Sequence, residues 1–358
     1  MTFDFTFIQA GVTENLRKFL DSRRPQVSAI GSHVDQAAEA LSDFVLNGGK
    51  RVRPLYAWAG YVGTGGDASN EAVQRACSSL EFIQACALIH DDIIDASDTR
   101  RGNPTVHRRM ERYLREYPGF TGTADNAAEF GTSVAILIGD LALVWAEDMF
   151  IESGVDIADL MRARPAWNAM RAEVIGGQIL DISAESVGET SEDTARRVNI
   201  FKTASYTISR PLQIGGLLAG ADEATLEAFA GYGRNLGIAF QLRDDLLGVF
   251  GDPTVTGKPA GDDLREGKRT ELLAVAVDKL KDTPEAAYLQ DNVGKTSDPG
   301  TIARLAAIIR DSGAADEMEN RITALRDAGL AYLDTASISD ETSTILTDLA
   351  IKTTQRAK

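Results

Sequence analysis

An all-α fold, a bundle of helices around a deep central cavity, is predicted by three features of the sequence. Apolar residues recur at helical spacing over long runs, no stretch alternates convincingly as a strand, and Gly, Pro, Asp and Asn cluster between the runs. Residues 1–25 open without basic residues or a long apolar run, so they read as an N-terminal tail and not as a signal peptide. Residues 26–358 read as one all-helical domain, because no Pro/Ser-rich linker or like-charge block divides them. The helical runs fall at 27–46, 71–95, 127–151, 167–182, 194–218 and 225–250. Several exceed the usual globular helix length, which suits helices facing one another across a cavity. From Arg269 onward further amphipathic helices follow, with little chemical content. The most apolar stretch, 134–146, is interrupted by Asp140 and falls short of the roughly 20 residues of a membrane span.

The composition narrows the partners. A formal net charge of −16 over 358 residues argues against nucleic acid, since phosphate backbones want a basic face. Positive charge is instead local: Lys50, Arg51 and Arg53 form one cluster, and Arg100, Arg101, Arg108 and Arg109 another. Each offers a site for a small anion. Only Cys77 and Cys86 are present, so a reducing compartment, the cytoplasm, is expected.

The chemistry concentrates in acidic motifs at the ends of apolar helices. In Leu88-Ile89-His90-Asp91-Asp92-Ile93-Ile94-Asp95, the side chains of Asp91 and Asp95 share a face one turn apart and repel each other unless a cation intervenes. Magnesium takes oxygen ligands and shares them readily with substrate phosphates. A second pair, Asp244-Asp245, follows Gln241-Leu242-Arg243. Gly48-Gly49-Lys50-Arg51-Val52-Arg53-Pro54 reads as an anion cradle, with Lys50 a point charge and Arg53 a fork for phosphate oxygens. Alone, each motif has a plain structural explanation: a solvated acidic turn, a glycine cap, a charged surface loop. Apolar flanks and basic neighbours favour the functional reading.

Together these residues resemble the trans-isoprenyl diphosphate synthases, closest in pattern to those that make geranylgeranyl diphosphate. The matching segments, in the family's order, are Gly48 to Pro54, Asp91 to Asp95, Arg100-Arg101-Gly102-Asn103-Pro104-Thr105-Val106-His107, Gly177-Gln178, Lys202-Thr203, Gln241 to Asp245 and residues 257–270. They span about residues 40–275. The resemblance implies an isoprenoid-synthase-type helical bundle that condenses isopentenyl diphosphate with an allylic prenyl diphosphate, usually as a homodimer. It implies three magnesium ions, two on Asp91 and Asp95 and one on Asp244, with Asp92 and Asp245 in support. Arg100, Lys202, Lys258 and Lys268 would bind the allylic diphosphate, and Thr203 and Gln241 would face the carbocation. Lys50, Arg53, Gln84 and Arg101 would hold isopentenyl diphosphate. His90 reads as a structural histidine, and His107 as ordering the loop after the arginine pair.

One position departs from the pattern: Gly248 stands where many relatives have a third aspartate, which puts the ligands of the third ion in question. Product length in such enzymes follows what lies below the first aspartates. Here Ala87 and Cys86, one turn down, are small and Ile83 lies two turns down, at about 1.5 Å per residue. That favours a twenty-carbon product over fifteen and leaves longer ones open. A class I terpene cyclase has no need of a second diphosphate site. A non-catalytic partner subunit would be expected to have lost aspartates that both motifs here retain.

Overall fold

The computed structural model describes residues 5–252 and 260–354. Helices α1 (Phe5–Ser28), α2 (Ser32–Leu46), α3 (Val52–Gly63), α4 (Glu71–Ser78) and α5 (Leu80–Ile94) lead to a two-residue hairpin, β1 (Thr99–Arg100) and β2 (Asn103–Pro104). Then come α6 (Val106–Arg115), α7 (Ala124–Ile151), α8 (Ile157–Val187), α9 (Glu192–Val198), a π-helical segment (Asn199–Ser209), α10 (Arg210–Ala219) and α11 (Glu223–Phe250). The chain ends in α12 (Asp262–Glu266), α13 (Glu271–Lys279), α14 (Pro284–Asn292), α15 (Pro299–Asp311), α16 (Ala314–Leu333) and α17 (Asp340–Thr354). No helix among the described residues is long and apolar enough to cross a membrane.

The helices start where side chains take up their free N–H groups. Thr123 and Asn126 form a reciprocal capping box at α7, and Asp156 and Asp222 cap α8 and α11. Helix α11 lies against α16 and the π segment, α10 against α3, and both α5 and α6 against α7. One apolar cluster joins the first eight helices through Leu16, Leu41, Phe82 and Trp167. A second ties the end of α11 to α12–α16 through Leu242, Leu272, Leu305 and Met318.

Three expectations need correcting. The N-terminal stretch is no tail: α1 buries Val12, Leu16 and Leu20, one per turn, and sets Phe19 edge-on to Phe82 at 5.4 Å between ring centroids. A stripe one residue wide is easily missed when the residues between are charged. The run at 71–95 is two helices, broken at Ser79, and 194–218 is three segments because its middle widens into the π-helix. A strand pair does exist. It pairs Thr99 with Pro104 and Arg100 with Asn103, and its turn residues Arg101 (φ 53) and Gly102 (φ 77) are both left-handed, as a two-residue hairpin requires.

The π segment fits because glycines face it. A methyl group on Gly177 of α8 would overlap the backbone nitrogen of Lys202, and one on Gly237 of α11 would overlap Ala204. The wider coil thus presses backbone to backbone between two helices, and it carries Lys202 and Thr203.

Candidate active site

Helix α5 presents its acidic motif on two faces. Asp91 and Asp95 turn toward lysines: Lys202 Nζ lies 3.3 Å from Asp91 Oδ1, and Lys268 Nζ 3.6 Å from Asp95 Oδ2. Gln178 of α8 donates to Asp91 Oδ1 at 3.1 Å, and Arg100 Nη2 stands 3.6 Å from Asp91 Oδ2. Asp92 points the other way, is 1% exposed, and accepts from Arg100 Nε at 2.7 Å. Asp92 therefore aims the arginine from beneath, with its own Oδ2 buried and without a partner.

On α11 the second motif repeats this division. Gln241 donates to Asp245 Oδ1 at 2.8 Å and accepts from Thr203 Oγ1 at 2.8 Å, so Asp245, 2% exposed, anchors a Thr203–Gln241 pair. Asp244 is partly buried and engaged in interactions of its own. Lys268 links the first motif to the segment after α11: besides Asp95, its ammonium lies 2.8 Å from Glu266 and 4.0 Å from Asp263. Asp263 in turn packs on Gly248, one turn beyond Asp244.

The electrostatics follow from burial and crowding. Burial lifts the Asp92 acid to about 6 against the pull of Arg100, and burial with the Asp263 charge pushes Asp245 well above the ordinary range. Burial opposes ionisation of Asp91 as well, but Lys202, Lys268 and Arg100 outweigh it and hold its acid below the usual value. Asp95, buried beside Asp91, is raised. Lys202 and Lys268 stay protonated, because the carboxylates around them overcome their burial.

The basic turns are more selective than their composition. Arg51 is 5% exposed and locked to buried Glu81 at 2.6 Å, while Arg101 lies over Gly48 and Gly49, where a Cβ on Gly48 would stand 3.1 Å from its Nη1. Both arginines are left-handed (φ 52 and 53), a conformation costing roughly 1–3 kcal/mol each. Arg53 is buried, donates to Thr207 at 2.9 Å and covers the Tyr206 ring at 3.9 Å. Lys50 is exposed, and its carbonyl accepts from Gln9 of α1 at 2.8 Å. Gln84 is partly buried on α5, two turns before Asp91. Arg108 and Arg109, grouped above with the anion-binding arginines, are instead paired with Asp98 and Asp43, each at 2.7 Å. Lys258 lies outside the described residues.

Below Asp91, Ile83 is 2% and Cys86 8% exposed, and Ala87 is partly buried. His90 Nε2 lies 3.0 Å from the Ile136 carbonyl and so ties α5 to α7. The loop after the arginine pair is held by Thr105, which donates to the Ser97 carbonyl at 2.9 Å, while His107 is buried with Nδ1 unpartnered. Four contributors went unassigned in the sequence. Asp181 holds Lys202 at 2.5 Å, Gln178 holds Asp91, Glu185 has its acid lifted to about 7 by burial and by Asp181, and Glu81 steadies the basic turn. Positions 178, 181 and 185 lie one turn apart on α8, a polar stripe that was the available signal. Among the described residues, no three His, Cys, Asp or Glu side chains converge enough to hold a metal by themselves, and Asp91 and Asp95 each face a lysine.

The chain resembles several known proteins along nearly its whole length. It is 52% identical to geranylgeranyl pyrophosphate synthase from Corynebacterium glutamicum, crystallised with isoprenyl diphosphate and magnesium. The match has a TM-score of 0.94 and covers 99% of this chain and 100% of that one. It is 34% identical over 293 residues to the geranylfarnesyl diphosphate synthase of Aeropyrum pernix, covering 80% of this chain and 83% of that protein. It is 30% identical over 347 residues to a (2E,6E)-farnesyl diphosphate synthase of Mycobacterium tuberculosis, covering 95% and 89%. Residues 34–309 match the family model for polyprenyl synthetase, and the chain belongs to the polyprenyl synthetase family.

Proposed function

We propose that this protein condenses isopentenyl diphosphate with an allylic prenyl diphosphate to give a twenty-carbon geranylgeranyl product, using magnesium. The observation that carries the reading is the first aspartate motif facing Lys202 and Lys268, the latter from the segment whose Asp263 packs on Gly248 just beyond the second motif, beside a hairpin that presents Arg100 and Arg101. The donor set suits magnesium: Asp91, Asp95 and Asp244 offer only carboxylate oxygens, and a hard cation that shares ligands with phosphates needs no closed protein cage. Three ions are expected, two at Asp91 and Asp95 and one at Asp244. Bound there with the substrate, magnesium neutralises the diphosphate as it leaves.

The protein's own groups then have distinct tasks. Arg100, Lys202 and Lys268, with Lys258, bind the allylic diphosphate and stabilise its charge as the carbon–oxygen bond breaks. Asp92 and Asp181 hold the first two of these cations in position. The Thr203 hydroxyl and Gln241 amide lie next to each other with their oxygens available to the allylic cation. Lys50, Arg53, Gln84 and Arg101 hold isopentenyl diphosphate, whose double bond attacks to form the new carbon–carbon bond, and a proton passes to the released diphosphate.

Ala87 and Cys86, one turn below Asp91, are small, so the reading gives a further isoprene unit its place there, with Ile83 as the floor two turns down. Ala87→Phe is therefore expected to shorten the main product to fifteen carbons, read by chromatography of labelled products. An unchanged length would reject this account of the floor. The working unit is a homodimer: α7 exposes Ile136, Leu137 and Val144, and α8 exposes Ile157, Met161 and Ile179, an apolar surface suited to a second copy. Light scattering on the eluting protein tests it, and a monomer mass would refute it. Free, buried thiols at Cys77 and Cys86 suit the cytoplasm.

A further inference from the structure

Lys202 and Lys268, both assigned above to the allylic diphosphate, come from separate parts of the chain: the π segment and the stretch just before α13. Their ammonium groups reach two carboxylates of one motif, Asp91 and Asp95. A link behind them joins the two segments. Asn199, three residues before Lys202, donates to Glu271 Oε2 at 3.3 Å, and Glu271 stands three residues after Lys268. Both are buried, Glu271 to 2% exposure, and a buried carboxylate needs a cation beside it. Arg321 of α16 supplies one. Its Nη1 donates to Glu271 Oε1 and to Glu192 Oε1 of α9, each at 2.6 Å, while Nη2 donates to Glu317 at 2.5 Å. The π segment, α9, α13 and α16 thus meet at one guanidinium and one carboxylate.

We propose that Glu271 is a positioning residue for the allylic diphosphate: gripped by Arg321 and bound by Asn199, it fixes the spacing between Lys202 and Lys268, so that both ammonium groups meet one diphosphate. The inference rests on the prenyl-transfer reading above. Stability alone is a weak reason for such a pair, since packed apolar side chains often replace a buried ion pair without loss. Directional bonds instead hold segments in one alignment where apolar contacts would let them slide. Glu271 uses a different carboxylate oxygen for each of its two bonds, and an amide, with one accepting oxygen, cannot make both. Arg53, assigned to the other substrate, meets the π segment about two turns further on, at Thr207, so its site should respond less.

Calorimetric binding of geranyl diphosphate with magnesium, in the absence of isopentenyl diphosphate, tests this apart from turnover. Glu271→Gln, which keeps the shape and loses one acceptor, is expected to weaken that binding by about tenfold while KM for isopentenyl diphosphate changes by less than about threefold. Arg321→Met cuts the same link from α16 and is expected to give the same selective loss. Because both act through one link, the double variant should lose no more than either single one. Asn199→Ala leaves the ion pair intact and is expected to give a smaller loss, again confined to the allylic substrate. Undiminished geranyl diphosphate binding in Glu271→Gln, an equal loss for both substrates, or losses that multiply in the double variant would overturn the assignment. If Glu271→Gln does not fold, Asn199→Ala decides, and undiminished binding there overturns it. Failure of the unaltered protein to bind geranyl diphosphate with magnesium would overturn instead the reading on which the inference rests.

Discussion

On α5 the second carboxylate of the motif meets a cation, and on α11 it meets an amide. Asp92 lies under Arg100, whereas Asp245 lies under Gln241. In both motifs the first aspartate is the one left toward the site and the second is buried as an anchor. The difference between the anchors teaches what each motif is for. A buried carboxylate beside an arginine fixes the cation that is proposed above to bind diphosphate. One beside an amide, its acid raised by burial and by the Asp263 charge, fixes the Thr203–Gln241 pair that is proposed above to face the reacting carbon.

The sharpest test of this comparison is Asp91→Asn. It removes a charge that Lys202, Lys268 and Arg100 keep ionised despite burial. Loss of such preorganised electrostatics is expected to lower kcat by about 10²–10³-fold. Steady-state turnover with saturating magnesium measures it, and a loss below tenfold would mean the α5 motif does not hold the ions.

Gly237→Ala probes the other helix through its backbone. The added methyl would overlap Ala204 in the π segment, one turn from Gln241. Overpacking against backbone is expected to cost roughly 3 kcal/mol in stability and to misalign Thr203 and Gln241 together. A urea titration gives the first and kcat the second. Unaltered stability would mean that the π segment can shift without loss.

Much of this arrangement was legible beforehand, and the reasons it was only partly so are physical. Paired aspartates closing apolar helices are visible because apolar flanks make their charge conspicuous, and Lys202, Thr203 and Gln241 lay inside strong helical runs. What charge composition cannot convey is the partner. Arg108 and Arg109 look like Arg100 and Arg101 in the sequence, yet the hairpin sets Arg100 on Asp92 and Arg101 over Gly48 and Gly49, and helix α6 gives the other pair to Asp98 and Asp43. Gln178 lay in a matched segment, but its α8 neighbours Asp181 and Glu185 were hidden because one polar residue per turn resembles any solvated face until a π-helix is set against it.

Asp92→Asn tests the charged anchor through pH. Burial raises the Asp92 acid from 3.8 to about 6, so the folded protein keeps this proton to higher pH than the unfolded chain does. The associated stability is complete below about pH 3.8 and is lost as pH rises through about 6. The variant lacks that titration. Its stability relative to the unaltered protein should improve between those pH values by on the order of 2 kcal/mol, read from urea midpoints at each end. Freed from its anchor, Arg100 should raise KM for the allylic diphosphate more than it lowers kcat. Parallel pH curves for the two proteins would show that Asp92 ionises as it would in water.

Asp245→Asn should do least, and for that reason it discriminates best between the two motifs. Asparagine has the shape of a protonated aspartate and can still accept from Gln241, so the Thr203–Gln241 pair keeps its support. The cost in kcat is expected to stay under about tenfold, with no new pH dependence near neutrality. Were it instead to match the loss in Asp91→Asn, Asp245 would have to be ionised in the working enzyme and act on the metal itself. The two motifs would then be duplicates and not an arginine holder opposite an amide holder.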